Sequence, residues 1–77
     1  MNNDAIKTAA ETVTRTRAAM LAAACSYSDV CQGKTETIEA YRARLAVIRS
    51  AEKARDAAEW AHINALIALA ALEDAAA

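Results

Sequence analysis

The chain of 77 residues has no proline, no phenylalanine and one glycine, Gly33, close to its midpoint. Without proline nothing inside either half breaks a helix, and a lone glycine marks one natural place to turn. Only three residues are aromatic, Tyr27, Tyr41 and Trp60, so any core must be built from aliphatic side chains and alanine. One histidine and two cysteines are too few to assemble a Ser/His/Asp or Cys/His catalytic arrangement, and the expectation is a protein that is not an enzyme. No cofactor motif is present. Charge of neither sign dominates: the net charge is −1, which supplies no bulk field for nucleic acid or a membrane surface. A long uninterrupted apolar run is missing too. The best candidate, Ala57 to Leu72, is too short to span a bilayer and carries Glu59, His62 and Asn64.

Two further absences bear on location. The N-terminal MNNDAIK lacks the basic-then-apolar pattern of a secretion signal. Cys25 and Cys31 lie on different faces if one helix contains both, too far apart to bridge. A bridge would require that helix to end near Ser26. Buried or half-buried free thiols fit a reducing compartment, so the expected setting is cytoplasmic.

What the chain does have is alanine. Hydrophobic residues make up 56% of it, but 23 residues are alanine, which adds little apolar area. Apart from Met1 and the two cysteines, the rest is Ile, Leu, Val, Met20, Trp60 and the two tyrosines. A single core of this size contributes only about 3–5 kcal/mol unless something staples or oligomerises it. Alanine and long-chain residues favour helix on both sides of Gly33. The reading is one domain, residues 1–77: helix 1 over about 4–29, a loop over about 30–35, and helix 2 over about 36–74. Gly33 suits the position past the first helix, Thr35 the cap of the second, and Glu36 and Glu39 its first turn. Thr12 to Arg17 (TVTRTR) alternates like a strand, but its alanine-rich flanks offer nothing to pair with, and helix is expected there as well.

Helix 1 carries one heptad stripe: Ile6, Val13, Met20 and Tyr27, with Ala9, Thr16, Ala23 and Val30 between them. Helix 2 carries two. The first runs Ile38, Tyr41, Leu45, Ile48, Ile63 and Leu66; the second runs Ala40, Val47, Ala51, Ala54, Ala58, Ala65, Leu69 and Leu72. A lone hairpin needs one stripe per helix, so two imply a further helical neighbour. Length points the same way. Helix 2 is longer by about 20 Å, and folded back from Gly33, helix 1 reaches about the level of His62. The most apolar segment then overhangs. On the outer face Arg42, Arg49 and Lys53 give way to Trp60 and Ile67. The fold expected is therefore an all-α antiparallel helical hairpin that assembles as a homo-oligomer, most simply a dimeric four-helix bundle. Trp60, Ile63, Leu66, Ile67, Leu69 and Leu72 are the expected interface residues.

Other constellations have two readings each. Gly33-Lys34-Thr35 resembles the tail of a phosphate-binding loop, yet Ser28 stands where its first glycine belongs and no strand precedes it. What survives is a contact for a stray anion at Gly33, Lys34 and Thr35, against the plainer reading of a helix cap and a solvated lysine. Glu59-x-x-His62 has the spacing of di-iron bundles, but helix 1 offers only Glu11, off its apolar face; no metal site is assigned. Glu52, Arg55, Glu59 and His62 fill the gap in the first stripe. They form either a solvated ladder of ion pairs or, with Arg17 meeting Glu52 or Glu59, a polar layer that sets register. Arg42, Arg44, Arg49, Lys53 and Arg55 make a basic run, but Glu39, Glu52, Asp56 and Glu59 interleave with it, so a solvated face is expected.

The expected function is a non-enzymatic protein–protein interaction module (an adaptor, inhibitor or assembly subunit) that binds itself and another protein. In size and layout the chain resembles small secretion-system co-chaperones and phage-encoded helical proteins that disarm host defences, with no shared motif. Those resemblances imply two alternatives, a co-chaperone and an oligomer that sequesters nucleotides between subunits. A metal-binding bundle through Glu59 and His62 is the third.

Overall fold

Residues 2–32 and 37–77 are described by a computed structural model. Two helices account for nearly all of them: α1, Asn2–Cys31 with 30 residues, and α2, Ile38–Ala76 with 39. They pack along one another as an antiparallel hairpin. Contacts show the direction, since Val30 meets Arg44, Tyr27 meets Arg55 and Thr16 meets His62: the numbers fall on α1 as they rise on α2.

Helix α1 runs two residues beyond the expected bounds at each end, and its interior includes the TVTRTR stretch. The threonines there are reconciled with helix by bonding its own carbonyls. Thr12 Oγ1 donates to the Thr8 carbonyl at 3.0 Å, Thr14 Oγ1 to Ala10 at 3.2 Å and Thr16 Oγ1 to Val13 at 3.1 Å. Because α1 continues through Cys31, Cys25 and Cys31 are about 9 Å apart along its axis and cannot bridge. Both are free thiols, and both are exposed instead of buried or half-buried.

The start of α2 differs from expectation. Its cap is Thr37, not Thr35: Thr37 has extended backbone (φ −130°, ψ 160°) and its Oγ1 accepts from the Ala40 amide at 3.1 Å. Either threonine has the chemistry of a cap, and only the path of the chain into α2 selects between them. Gly33, Thr35 and Glu36 lie outside the described residues.

Burial repeats along both helices with coiled-coil spacing. On α1 the half-buried residues include Ile6, Ala9, Val13, Thr16, Met20, Ala23, Tyr27 and Val30, the stripe expected from the sequence. On α2 they are Arg44, Ile48, Ala51, Arg55, Ala58, His62, Leu69 and Leu72, which with the buried Ala65 alternate by four and three, with Leu45 beside them. This seam is neither of the two expected stripes but a band between them. It takes Ile48, Arg55 and His62 from one side and Ala51, Ala58, Ala65, Leu69 and Leu72 from the other. Ala51, Ala58 and Ala65 recur every seven residues and let the backbones approach closely.

The register overturns the expected overhang. Counting from the Thr16–His62 contact, Asn2 stands level with about Ala76 and Cys31 level with about Val47. Helix α1 therefore covers α2 to its C-terminus. The uncovered part is the start of α2 before Arg44, where Ile38 is 69% exposed and Tyr41 is exposed too. The long axis of the molecule, 59 Å, is simply the length of α2. Counting back from the turn assumed that both helices start at the same level, whereas side-chain interlock along the seam sets their offset.

The result is a rod. Its radius of gyration is 17.7 Å, against about 11.5 Å for a compact domain of this length. Among the described residues only Ala65, 7% exposed, is buried.

Candidate functional site

The apolar face of α2 that points away from α1 is the most distinctive surface of the protein. Trp60, Ile63 and Ile67 follow helical spacing of three and four, which places them in a row on one side; Leu66 flanks it. Trp60 is 64% exposed and Ile67 62%, and Ile63 and Leu66 are exposed as well. In the coiled-coil repeat, Trp60 and Ile67 stand opposite the seam. They are uncovered because of their angle on the helix and not because α1 is too short. Of the six residues expected at an interface, these four are available. Leu69 and Leu72 are half-buried seam residues directed at α1.

The expected polar layer is divided. Arg55 and His62 occupy seam positions, whereas Glu52, Glu59 and Arg17 are exposed. Arg17 bonds to neither glutamate among the described residues. His62 is held instead by Thr16, whose Oγ1 lies 3.0 Å from Nδ1. The Val13 carbonyl can only accept, so the Thr16 hydroxyl donates its proton there and accepts from His62 Nδ1–H. Thr16 was visible as a member of the α1 stripe, but its pairing with His62 depends on register.

About two helical turns along α2 toward the loop, the Arg55 guanidinium lies over the Tyr27 ring, 4.2 Å from its centroid, in a cation–π contact. Arg55 also pairs with Asp56 at 3.3 Å and reaches Glu59 at 4.0 Å. Burial pulls the ionisation of this guanidinium down, but hydrogen bonding to Asp56 and the neighbouring negative charge outweigh it, leaving it above its ordinary value. Hydrogen bonding to the Cys31 thiol, followed by the negative charge that thiol can carry, pushes the Tyr27 phenol up; Arg55 opposes this.

Arg44, expected on the solvated basic face, has another role. Its Nη2 donates to the Val30 carbonyl at 2.9 Å. The last turn of α1 contains no basic residue, so α2 supplies the cation that its C-terminal carbonyls attract. Sequence spacing within one helix carries no trace of such a contact.

Among the described residues no group of three or more His, Cys, Asp or Glu side chains is placed to hold a metal. In the Glu59-x-x-His62 pair, Glu59 turns to Arg55 and His62 to Thr16, and Glu11 is exposed on α1. The anion contact expected at Gly33, Lys34 and Thr35 lies outside the described residues. No described helix is long and apolar enough to cross a membrane. Comparison with known protein families, with characterised proteins and with solved structures finds no match to this chain.

Proposed function

We propose that this protein is a non-enzymatic protein–protein interaction module that self-associates through the outer face of α2, with Trp60, Ile63, Leu66 and Ile67 as the contact residues. The observation that carries this reading is surface. The chain exposes 5831 Å², whereas a compact monomer of its mass exposes about 4,500 Å². The excess of about 1,300 Å² is larger than the roughly 800 Å² each partner gives up in a standard interface. Trp60, Ile63, Leu66 and Ile67 are exposed together on that face, and a hairpin with one buried alanine among the described residues has little else to stabilise it.

Light scattering across a concentration series tests the proposal. The natural chain is expected as a defined multimer. Changing Ile63 and Ile67 together to aspartate should yield monomer, detected with circular dichroism to follow retained helix. A natural chain that remains monomeric and folded at high concentration refutes self-association.

A further inference from the structure

The same face also encodes a direction. Relative to the seam, positions seven apart on α2 keep a constant bearing. Lys53, Trp60, Ile67 and Asp74 are four such positions and stand opposite α1. Read along the helix, this row is cationic, aromatic, aliphatic and anionic. All four residues are exposed, and among the described residues neither the Lys53 nor the Asp74 side chain has a hydrogen bond or ion pair.

We infer that the occupant of this face is a second copy of the chain, running antiparallel, with a two-fold axis crossing α2 between Ile63 and Asn64. The inference rests on the self-association proposed above and adds its geometry. Lys53 and Asp74 are equidistant from that axis, and so are Trp60 and Ile67. Antiparallel pairing therefore sets Lys53 against the partner subunit's Asp74, and Trp60 against the partner subunit's Ile67, each twice. A parallel pair would stack Lys53 on its own copy and Asp74 on its own copy at opposite ends, leaving like charges in contact. It would also align the two helix dipoles, which antiparallel packing opposes. Such a two-fold interface is self-complementary in charge and in shape, and it closes, so assembly stops at a pair through this face. The apolar centre supplies the contact area, and the charged ends select the orientation.

Spin labels at the C-terminus read the geometry directly. In a Cys25→Ser/Cys31→Ser background with Ala77→Cys labelled, the antiparallel pair places the two labels about 40 Å apart. A parallel pair places them within about 15 Å, near the spacing of packed helices. A second arm uses charge: Lys53→Glu should weaken dimerisation by about tenfold, and adding Asp74→Lys should restore it. The expected result is the long distance together with rescue by the double exchange. A short distance, or a double exchange that fails to rescue, overturns the antiparallel arrangement while leaving self-association intact. Absence of dipolar coupling together with a monomer mass overturns both, and would assign the face to a different protein.

Discussion

Thr16 and His62, 46 residues apart in the chain, meet through Oγ1 and Nδ1 at 3.0 Å, and this contact marks the offset of the two helices. It is a polar pair in a seam otherwise made largely of alanine and aliphatic residues. Shifting α1 by one heptad would bring His62 to Ala9 or Ala23, neither of which can accept its proton.

That pairing predicts a pattern of stabilities. Thr16→Val leaves the half-buried His62 Nδ1–H without its acceptor and should cost about 1–2 kcal/mol in urea unfolding. Combining it with His62→Leu replaces both polar groups and should recover the loss or exceed it. If the double variant is less stable than Thr16→Val alone, the seam is not governed by this bond.

Arg44 closes the end of α1 from the other helix. Arg44→Ala should therefore lower stability by about 1 kcal/mol, and the effect should appear mainly in α1. Amide exchange at Val30, Cys31 and Gln32 would quicken while that of Ala65 to Leu69 stays protected. Uniform loss of protection in both helices would contradict a local capping role.

Arg55 sits in the seam yet satisfies itself mostly at the surface, with Tyr27, Asp56 and Glu59. Replacing it by leucine exchanges weak, solvent-screened pairs for apolar packing. The melting temperature should stay constant or rise by a few degrees. A fall of more than about 5 °C, which corresponds to roughly 1 kcal/mol in a domain of this size, would show that the cation is structural.

The Tyr27 phenol, raised by Cys31, gives stability a defined dependence on pH. A raised ionisation means that the neutral phenol is the form the fold prefers. Its contribution is present below the ordinary phenol value and is lost as pH climbs through the raised one. In a Tyr41→Phe chain, tyrosinate absorbance should titrate at higher pH when folded than in urea, and adding Cys31→Ala should reduce the gap. Coincident folded and unfolded titrations would remove the effect.

Trp60 reports on assembly without any substitution. At 64% exposure in the hairpin it should emit like a solvated indole when dilute. With rising protein concentration the emission should move to shorter wavelength in step with the mass from light scattering. Emission that never changes while the mass doubles would place Trp60 outside the contact.

Some of this was legible beforehand because it is local. The α1 stripe from Ile6 to Val30 follows from heptad spacing alone, and it is the face that packs. The apolar character of Trp60, Ile63, Leu66 and Ile67 needed no coordinates either. The seam of α2 was not legible. Two apolar bands flank it, and the residues that fill it include Arg55 and His62, which hydropathy assigns elsewhere. Thr37 as cap and Arg44 as a brace on Val30 were equally hidden, since each depends on where the chain runs after α1.

By itself the sequence determined two long helices, one turn region near Gly33 and the angular position of every side chain on its own helix. Backbone hydrogen bonding within a helix sets those relations through a fixed period, with no reference to distant residues. Tertiary structure decided the sliding offset between the helices and the rotation of α2 toward α1. Both are settled by contacts between remote residues, such as Thr16 with His62 and Val30 with Arg44, which no periodicity on one strand of sequence can specify. That decision turns Leu69 and Leu72 inward and leaves Trp60 and Ile67 facing out along a helix that α1 covers to its end.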